Sequence, residues 1–286
     1  MIPTDIDGAF EAILGAVRRG DISSSRIDDS VRRILSMKAS VGLQESRYVA
    51  IERVSQVTSM QADLKFAQTV SDNAITLVRS DGHALPLHES TAPLAVSGRK
   101  SLVVILLAER FEAEYGRDFE TALKARSPNA QVYYVDNRTA NAGGIQVLES
   151  VRNADEVVVV AYLMHQGART SMVNGVPKTF YGLNGPSGVF LQKVLSTAEN
   201  VVVAALGSPY LIENFPQIQN YICGFAMTTT IEVSLVKALF GEIQNNARLP
   251  ITLPGVASRG FSIPWPKPGR AEQSEMDNQS NNSAFY

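Results

Sequence analysis

At 286 residues the chain has room for one large domain or two ordinary ones of roughly 150 residues, each able to bury a core. Apolar residues make up 45% and charged residues 19%, which excludes a disordered chain, and a formal net charge of −2 provides no global field to attract nucleic acid or an anionic membrane surface. The single cysteine, Cys223, excludes an intrachain disulfide and any CxxC metal or redox motif, and its place in an apolar run reads as a buried, inert thiol.

In chain order, Ile6, Phe10, Ile13, Leu14 and Val17 recur at three- and four-residue spacing before Gly20, which predicts an amphipathic helix over 6–19 with a glycine stop. Ser25 and Asp28 form a capping-box-like pair for a second helix carrying Ile27, Val31, Ile34 and Leu35 and closing at Gly42. Two helices this short cannot bury both apolar stripes on each other, so each needs a further partner surface. A third helix is expected over 62–73, then a strand over 75–78 ended by the turn Ser80-Asp81-Gly82.

From residue 101 the pattern becomes apolar strands (102–107, 131–135, 157–162, 201–206, 221–225) alternating with amphipathic helices (111–126, 144–152, 187–197, 230–241). This rhythm predicts an α/β fold, a three-layer sandwich whose mostly parallel, doubly wound sheet is covered by helices on both faces. Any ligand site then belongs at the carboxyl ends of the strands, in the loops 108–110, 136–143, 163–186 and 207–216, the third being much the longest. Four regions follow: a helical hairpin at 1–45, a linker and domain entry at 46–100, the sandwich at 101–254, and a C-terminal extension at 255–286 whose polar end cannot build a core.

No run reaches the roughly 18 apolar residues of a membrane helix, and the first ten residues lack the basic region and apolar core of a secretory signal. The compartment stays open. Neither GxGxxG nor GxxxxGK[ST] follows a strand, so no nucleotide cofactor is supported. Gly207-Ser208-Pro209 lacks the second glycine of a nucleophile elbow. His83, His88 and His165 are not at metal-ligand spacing; the first two are expected to be solvated in a turn.

Three separated segments resemble one family. They are Ile2-Pro3-Thr4-Asp5 with 16–22 (AVRRGDI), 26–35 (RIDDSVRRIL) and Lys38; 74–79 (AITLVR) leading to Leu85-Pro86-Leu87; and 248–254 (RLPITLP). Their order and spacing resemble the C-terminal half of glycoside hydrolase family 3, most like its β-N-acetylhexosaminidase branch, over nearly the whole chain. The resemblance implies that the hairpin is the end of a (β/α)8 barrel not contained in these residues, and that the sandwich is the barrel's companion domain. A retaining glycosidase needs a carboxylate nucleophile about 5 Å from its acid/base partner. The family's nucleophile, an Asp on a barrel strand, maps onto no residue here, so no catalytic residue is assigned and the isolated chain is expected to be inactive.

Some family members carry the acid/base Glu on the sandwich loop corresponding to 163–186. Here that loop, over 164–175, contains no carboxylate, as in the β-N-acetylhexosaminidase branch, where a barrel His with a carboxylate partner protonates the leaving group. His165 is a conceivable substitute donor. His165, Arg169, Asn174 and Lys178 are expected to line the rim of a sugar site shared with the barrel, with Tyr181 offering a stacking face, while any one of the first four taken singly reads more readily as a solvated loop residue. Tyr162 and Phe180 default to core packing; Arg110, Asp118 and Asp136 are weaker rim candidates. No metal or cofactor is expected, nor a nucleic-acid or membrane partner, while the exposed N-terminal helices offer a surface for self-association. Two other readings stay open: a stand-alone non-catalytic carbohydrate-binding or regulatory module, and an unrelated enzyme using the sandwich rim as its own site.

Overall fold

The computed structural model describes residues 4–266 except 59, 89–99, 113, 143, 164–168, 174–175, 181 and 244–246, and leaves out the side chains of 142, 169–171, 173 and 176–180. The chain divides into two compact units, Met1–Gln61 and Ala62–Tyr286.

The first unit contains α1 (Ile6–Arg19), α2 (Ser24–Ser40) and α3 (Ile51–Val57). Asp5 caps α1 by accepting the Gly8 N–H at 2.8 Å, and Gly20 ends it at φ 83°, satisfying carbonyls of the last turn. The second helix begins two residues earlier than a Ser25 cap implies: Ser23, not Ser25, is its cap, accepting the Arg26 N–H at 3.2 Å. The short α3 falls in a stretch that reads as linker, because seven residues leave no room for a helical period to declare itself. None of the three helices contains a buried residue. Phe10, Ile13 and Leu35 are more than half exposed, and an apolar groove of about 300 Å³ lies between Phe10, Ile13, Leu14, Val17 and Ile27.

The second unit is a three-layer sandwich. Its elements are α4 (Gln61–Asp72), β1 (Thr76–Arg79), β2 (Leu102–Ala108), α5 (Arg117–Arg126), β3 (Gln131–Val135), α6 (Thr139–Ala142), α7 (Gly144–Arg152), β4 (Glu156–Leu163), β5 (Arg169–Val173), β6 (Val176–Phe180), α8 (Pro186–Thr197), β7 (Val201–Gly207), α9 (Leu211–Asn214), β8 (Asn220–Cys223) and α10 (Thr229–Leu239). The main sheet runs β1-β8-β7-β4-β2-β3, with β1 antiparallel to β8 and every other pairing parallel. Side chains alternate between two cores. Val103, Ile105 and Leu107 meet Val147, Val151, Phe190 and Val194 from α7 and α8, whereas Leu102, Val104 and Leu106 meet Phe119, Leu123, Ile231 and Leu235 from α5 and α10. Both faces of β2, β4 and β7 are therefore dry, which is why these strands are nearly continuous apolar runs. Cys223 is buried in the first core, and burial pushes its thiol above the ordinary value.

A polar seam fastens α4 to α10: Gln68 donates to Ser234 Oγ at 2.7 Å, and Asp72 pairs with Lys237 at 2.8 Å. At the far edge, Ile263 N–H donates to the Leu77 carbonyl, and Trp265 is buried in the second core, so residues 263–265 cover the β1 side of the sheet. Among the described residues no helix is long and apolar enough to cross a membrane.

Candidate functional site at the carboxyl rim

From β2 the chain moves outward to β3, then returns across β2 to β4, so the winding direction reverses between β2 and β4. The crevice outside the carboxyl ends at such a reversal is where open α/β sheets hold ligands. The loops around it are 109–116 after β2, 136–138 after β3 and the segment after β4.

Glu109 begins the first loop. Its side chain accepts the Asn184 N–H at 2.8 Å, and its carbonyl accepts the Asn137 N–H at 3.2 Å. Asn137 in turn accepts the Ser187 N–H at 2.9 Å, in the first turn of α8. The cap position of α8 is Gly185, which has no side chain to do this, so Asn137 supplies the missing acceptor from another loop. The same solution recurs at α5. Its cap position is Gly116, at φ 83°, and Glu232 of α10 accepts the Gly116 N–H at 2.8 Å and the Phe119 N–H at 2.9 Å. Tyr162, at the end of β4, donates its hydroxyl to the same carboxylate at 2.9 Å. Glu232 is 3% exposed and sits on a helix N-terminus, whose partial positive charge suits an anion. Burial first, and Glu232 second, push the Tyr162 phenol above its ordinary value, so it stays a donor.

Tyr162 stacks on Tyr115 with centroids 5.2 Å apart and planes 10° apart, and Phe111 meets it edge-on at 6.0 Å. The ring is buried, so Tyr162 is core and offers no sugar platform, in line with its default reading. Asp136 is buried and self-contained. Burial works to raise its carboxyl, but N–H donors from Thr139 and Arg138 and the side chains of the same two residues outweigh it and hold it below 3.8. It caps α6. A group lowered on folding stabilises above its unfolded value and loses that contribution as pH falls through the folded one. Asp136→Ala is therefore expected to cost about 1–2 kcal/mol at neutral pH. Urea titrations at pH 7 and pH 3 check this, the gap between variant and wild type narrowing in acid.

The predicted sugar-contacting residues are not resolved into a constellation. His165, Asn174 and Tyr181 lie outside the described residues. Arg169 and Lys178 stand on β5 and β6, which form an antiparallel hairpin pairing Arg169 with Phe180 and Ser171 with Lys178; their side chains lie outside the description, as does that of Phe180. The expected long loop 163–186 thus contains a two-stranded sheet. Asn174-Gly175, the commonest two-residue hairpin turn, between strands rich in Thr and Val, was the signal for it. Arg110 is exposed and Asp118 half-buried at the rim.

His88 departs from the solvated reading: it is half exposed but pairs with Glu156 at the amino end of β4, away from the rim. Ser208 donates its N–H to the Leu163 carbonyl at 3.2 Å. One rim atom stands apart. Glu213 Oε1 in α9 is buried with no hydrogen-bond partner among the described residues, and burial raises this carboxyl. Among the described residues no three His, Cys, Asp or Glu side chains gather to hold a metal ion.

Comparison with known proteins agrees with this architecture. The sequence profile described as the Glycosyl hydrolase family 3 C-terminal domain matches residues 75–285. The lysosomal beta glucosidase of Dictyostelium discoideum is 25% identical over 302 aligned residues, covering 93% of this chain and 34% of that protein. Among solved structures, a family 3 beta-N-acetylglucosaminidase from Paenibacillus sp. str. FPU-7 superposes with a TM-score of 0.57 at 19% identity, covering 84% of this chain and 41% of that one. The beta-glucosidase from Listeria innocua in complex with glucose gives 0.59 at 16% identity, covering 85% and 34%. The chain thus spans about a third of the length of the curated relative.

Proposed function

Because the chain belongs to glycosyl hydrolase family 3 and carries that family's C-terminal domain at 75–285, we propose that it is the companion lobe of a barrel enzyme hydrolysing terminal β-linked glucose or N-acetylglucosamine with retention. The relatives named above are a beta glucosidase and a beta-N-acetylglucosaminidase, which supports both sugars. On this reading the sandwich, with its carboxyl rim, borders a sugar site whose nucleophile the barrel supplies. The hairpin of β5 and β6 leaves the β4 end of the crevice, and His165, Arg169, Asn174, Lys178 and Tyr181 would contact sugar there. Residues 1–45 would be the last helices of that barrel.

The observation that carries this best is the apolar face of α1 and α2, in which no residue is buried, while the sandwich closes two dry cores of its own. A stripe containing Phe10, Ile13 and Leu35 is stable in water only at the expense of its hydration, and covering it is worth about 25 cal/mol per Å². A barrel surface would supply that cover.

The 286-residue chain, purified alone, is expected to release no nitrophenol above buffer from p-nitrophenyl β-glucoside or p-nitrophenyl N-acetyl-β-glucosaminide. Joined to a family 3 barrel domain, it is expected to do so. Turnover by the chain alone, or none by the joined protein when it is folded, would overturn the reading.

A further inference from the structure

The second unit also carries a groove away from the rim. About 650 Å³ in volume, it opens at the opposite end of the sheet, where β2 and β3 begin and α7 ends. Its size falls within the roughly 300–1,000 Å³ of small-molecule sites. One wall is a stripe of α7 and the residue that follows it: Gln146, Glu149 and Ser150, then Asn153, follow one another at helical spacing along the groove, while Val147 and Val151 on the other side of the helix enter the core. Across from it stand Gln131 and Tyr133 of β3. The Tyr133 hydroxyl donates to Gln131 Oε1 at 3.0 Å and lies 2.8 Å from Ser150 Oγ, so strand and helix are tied at the groove floor.

The lining says what kind of ligand fits. Among the described lining residues Lys100 is the one cation, it lies 3.7 Å from Glu156, and Glu149 adds a negative charge, a balance that does not favour phosphate or carboxylate. Nor is it apolar. Amides and hydroxyls dominate, groups that both donate and accept, and the half-buried Tyr133 ring adds a flat apolar surface. A ligand that is neutral and whose groups also donate and accept, with an apolar face between them, is a carbohydrate.

We propose that this groove between α7 and the β3 edge is a second carbohydrate-binding site, remote from the rim, which takes a neutral oligosaccharide without turning it over. It would hold a glycan chain to the domain while a terminal residue is processed elsewhere.

The test uses the full chain, isotopically labelled, titrated separately with cellotetraose, chitotetraose and inorganic phosphate. Saturable amide shifts confined to Gln131, Gln146, Ser150, Asn153 and their neighbours are expected with at least one sugar and not with phosphate; which sugar binds identifies the source. Gln146 and Asn153 are both exposed, so the variant Q146A/N153A keeps its fold by the fluorescence of Trp265, the sole tryptophan, and is expected to bind at least about tenfold more weakly. No saturable shift with either sugar, shifts confined to the β5–β6 hairpin, equal binding of phosphate, or undiminished binding by the double variant would overturn the proposal. None of these readouts depends on glycosidase activity, so an inactive barrel fusion with an occupied groove would sink only the function proposed above.

Discussion

Glu232→Ala is expected to lower the stability of the 62–286 unit by about 4 kcal/mol, within the range for removing one member of a buried, charged hydrogen-bond set. The argument runs through the groups left behind. The Gly116 and Phe119 N–H groups and the Tyr162 hydroxyl all donate to this one carboxylate, and the region is dry. Gly116 has no side chain to take over as cap, so truncation leaves three donors unsatisfied at once. Glu232→Gln keeps one oxygen but turns an N–H₂ toward donors, and is expected to cost about 2–3 kcal/mol. Tyr162→Phe removes a single donor while Oε1 keeps its bond to Gly116, and is expected to cost about 1 kcal/mol. Urea unfolding followed at Trp265, buried in the core that α5 and α10 share, measures all three. Near-ultraviolet circular dichroism reports whether the Tyr115–Tyr162 stack survives. A Glu232→Ala midpoint equal to wild type would show that the α5 end is held by other means.

The order of these three variants also shows which parts of the molecule the sequence declares. The strands at 102–108 and 201–207 are legible because a strand buried on both faces must be an apolar run, and the edge strand Gln131–Val135, only partly buried instead of covered on both faces, still falls where the pattern puts it. Helix α5 is legible in its body but not at its start. Apolar spacing suggests a helix from Phe111, whereas the chain stays in a loop until Arg117, because Gly116 turns it and Glu232 receives the first N–H groups. That pair is separated by 116 residues, and no local spacing announces it. Asn137 and Ser187, 50 residues apart, conceal the α8 cap in the same way.

The edge strand β1 is readable as a strand, yet its antiparallel pairing with β8 is fixed only by the fold, with Asp81 and Asn220 joined side chain to side chain just beyond the pair. The rim hairpin was announced by Asn174-Gly175 but masked by the absence of a strictly apolar alternation in a two-stranded sheet. Thus the layers follow from composition and period, while the rim depends on contacts between residues far apart in the chain. The sugar-contacting candidates proposed above lie in sequence between β4 and α8, and that segment carries none of the periodic signal that located the core.

The second large effect is expected at Gly207, the last residue of β7. Its φ is 94°, a conformation that disfavours a side chain by about 1–2 kcal/mol. Its surroundings add far more: a Cβ built there falls 2.2 Å from the Leu163 carbonyl oxygen. Leu163 cannot give way, because it is paired with Gly207 in the parallel β4–β7 ladder and its carbonyl also accepts the Ser208 N–H. Relief requires β4 and β7 to part at their carboxyl ends, next to the switch-point crevice between β2 and β4. Gly207→Ala is therefore expected to cost about 4 kcal/mol, overpacking added to backbone strain. Gly255→Ala separates the two causes. Gly255 has φ 69° and no atom within 4 Å of its built Cβ, so only the conformational part applies and about 1 kcal/mol is expected. Urea unfolding monitored at Trp265 compares them. Equal losses would mean that the strand ends move apart without resistance, and the rim would then be a soft edge instead of a rigid support for a sugar site.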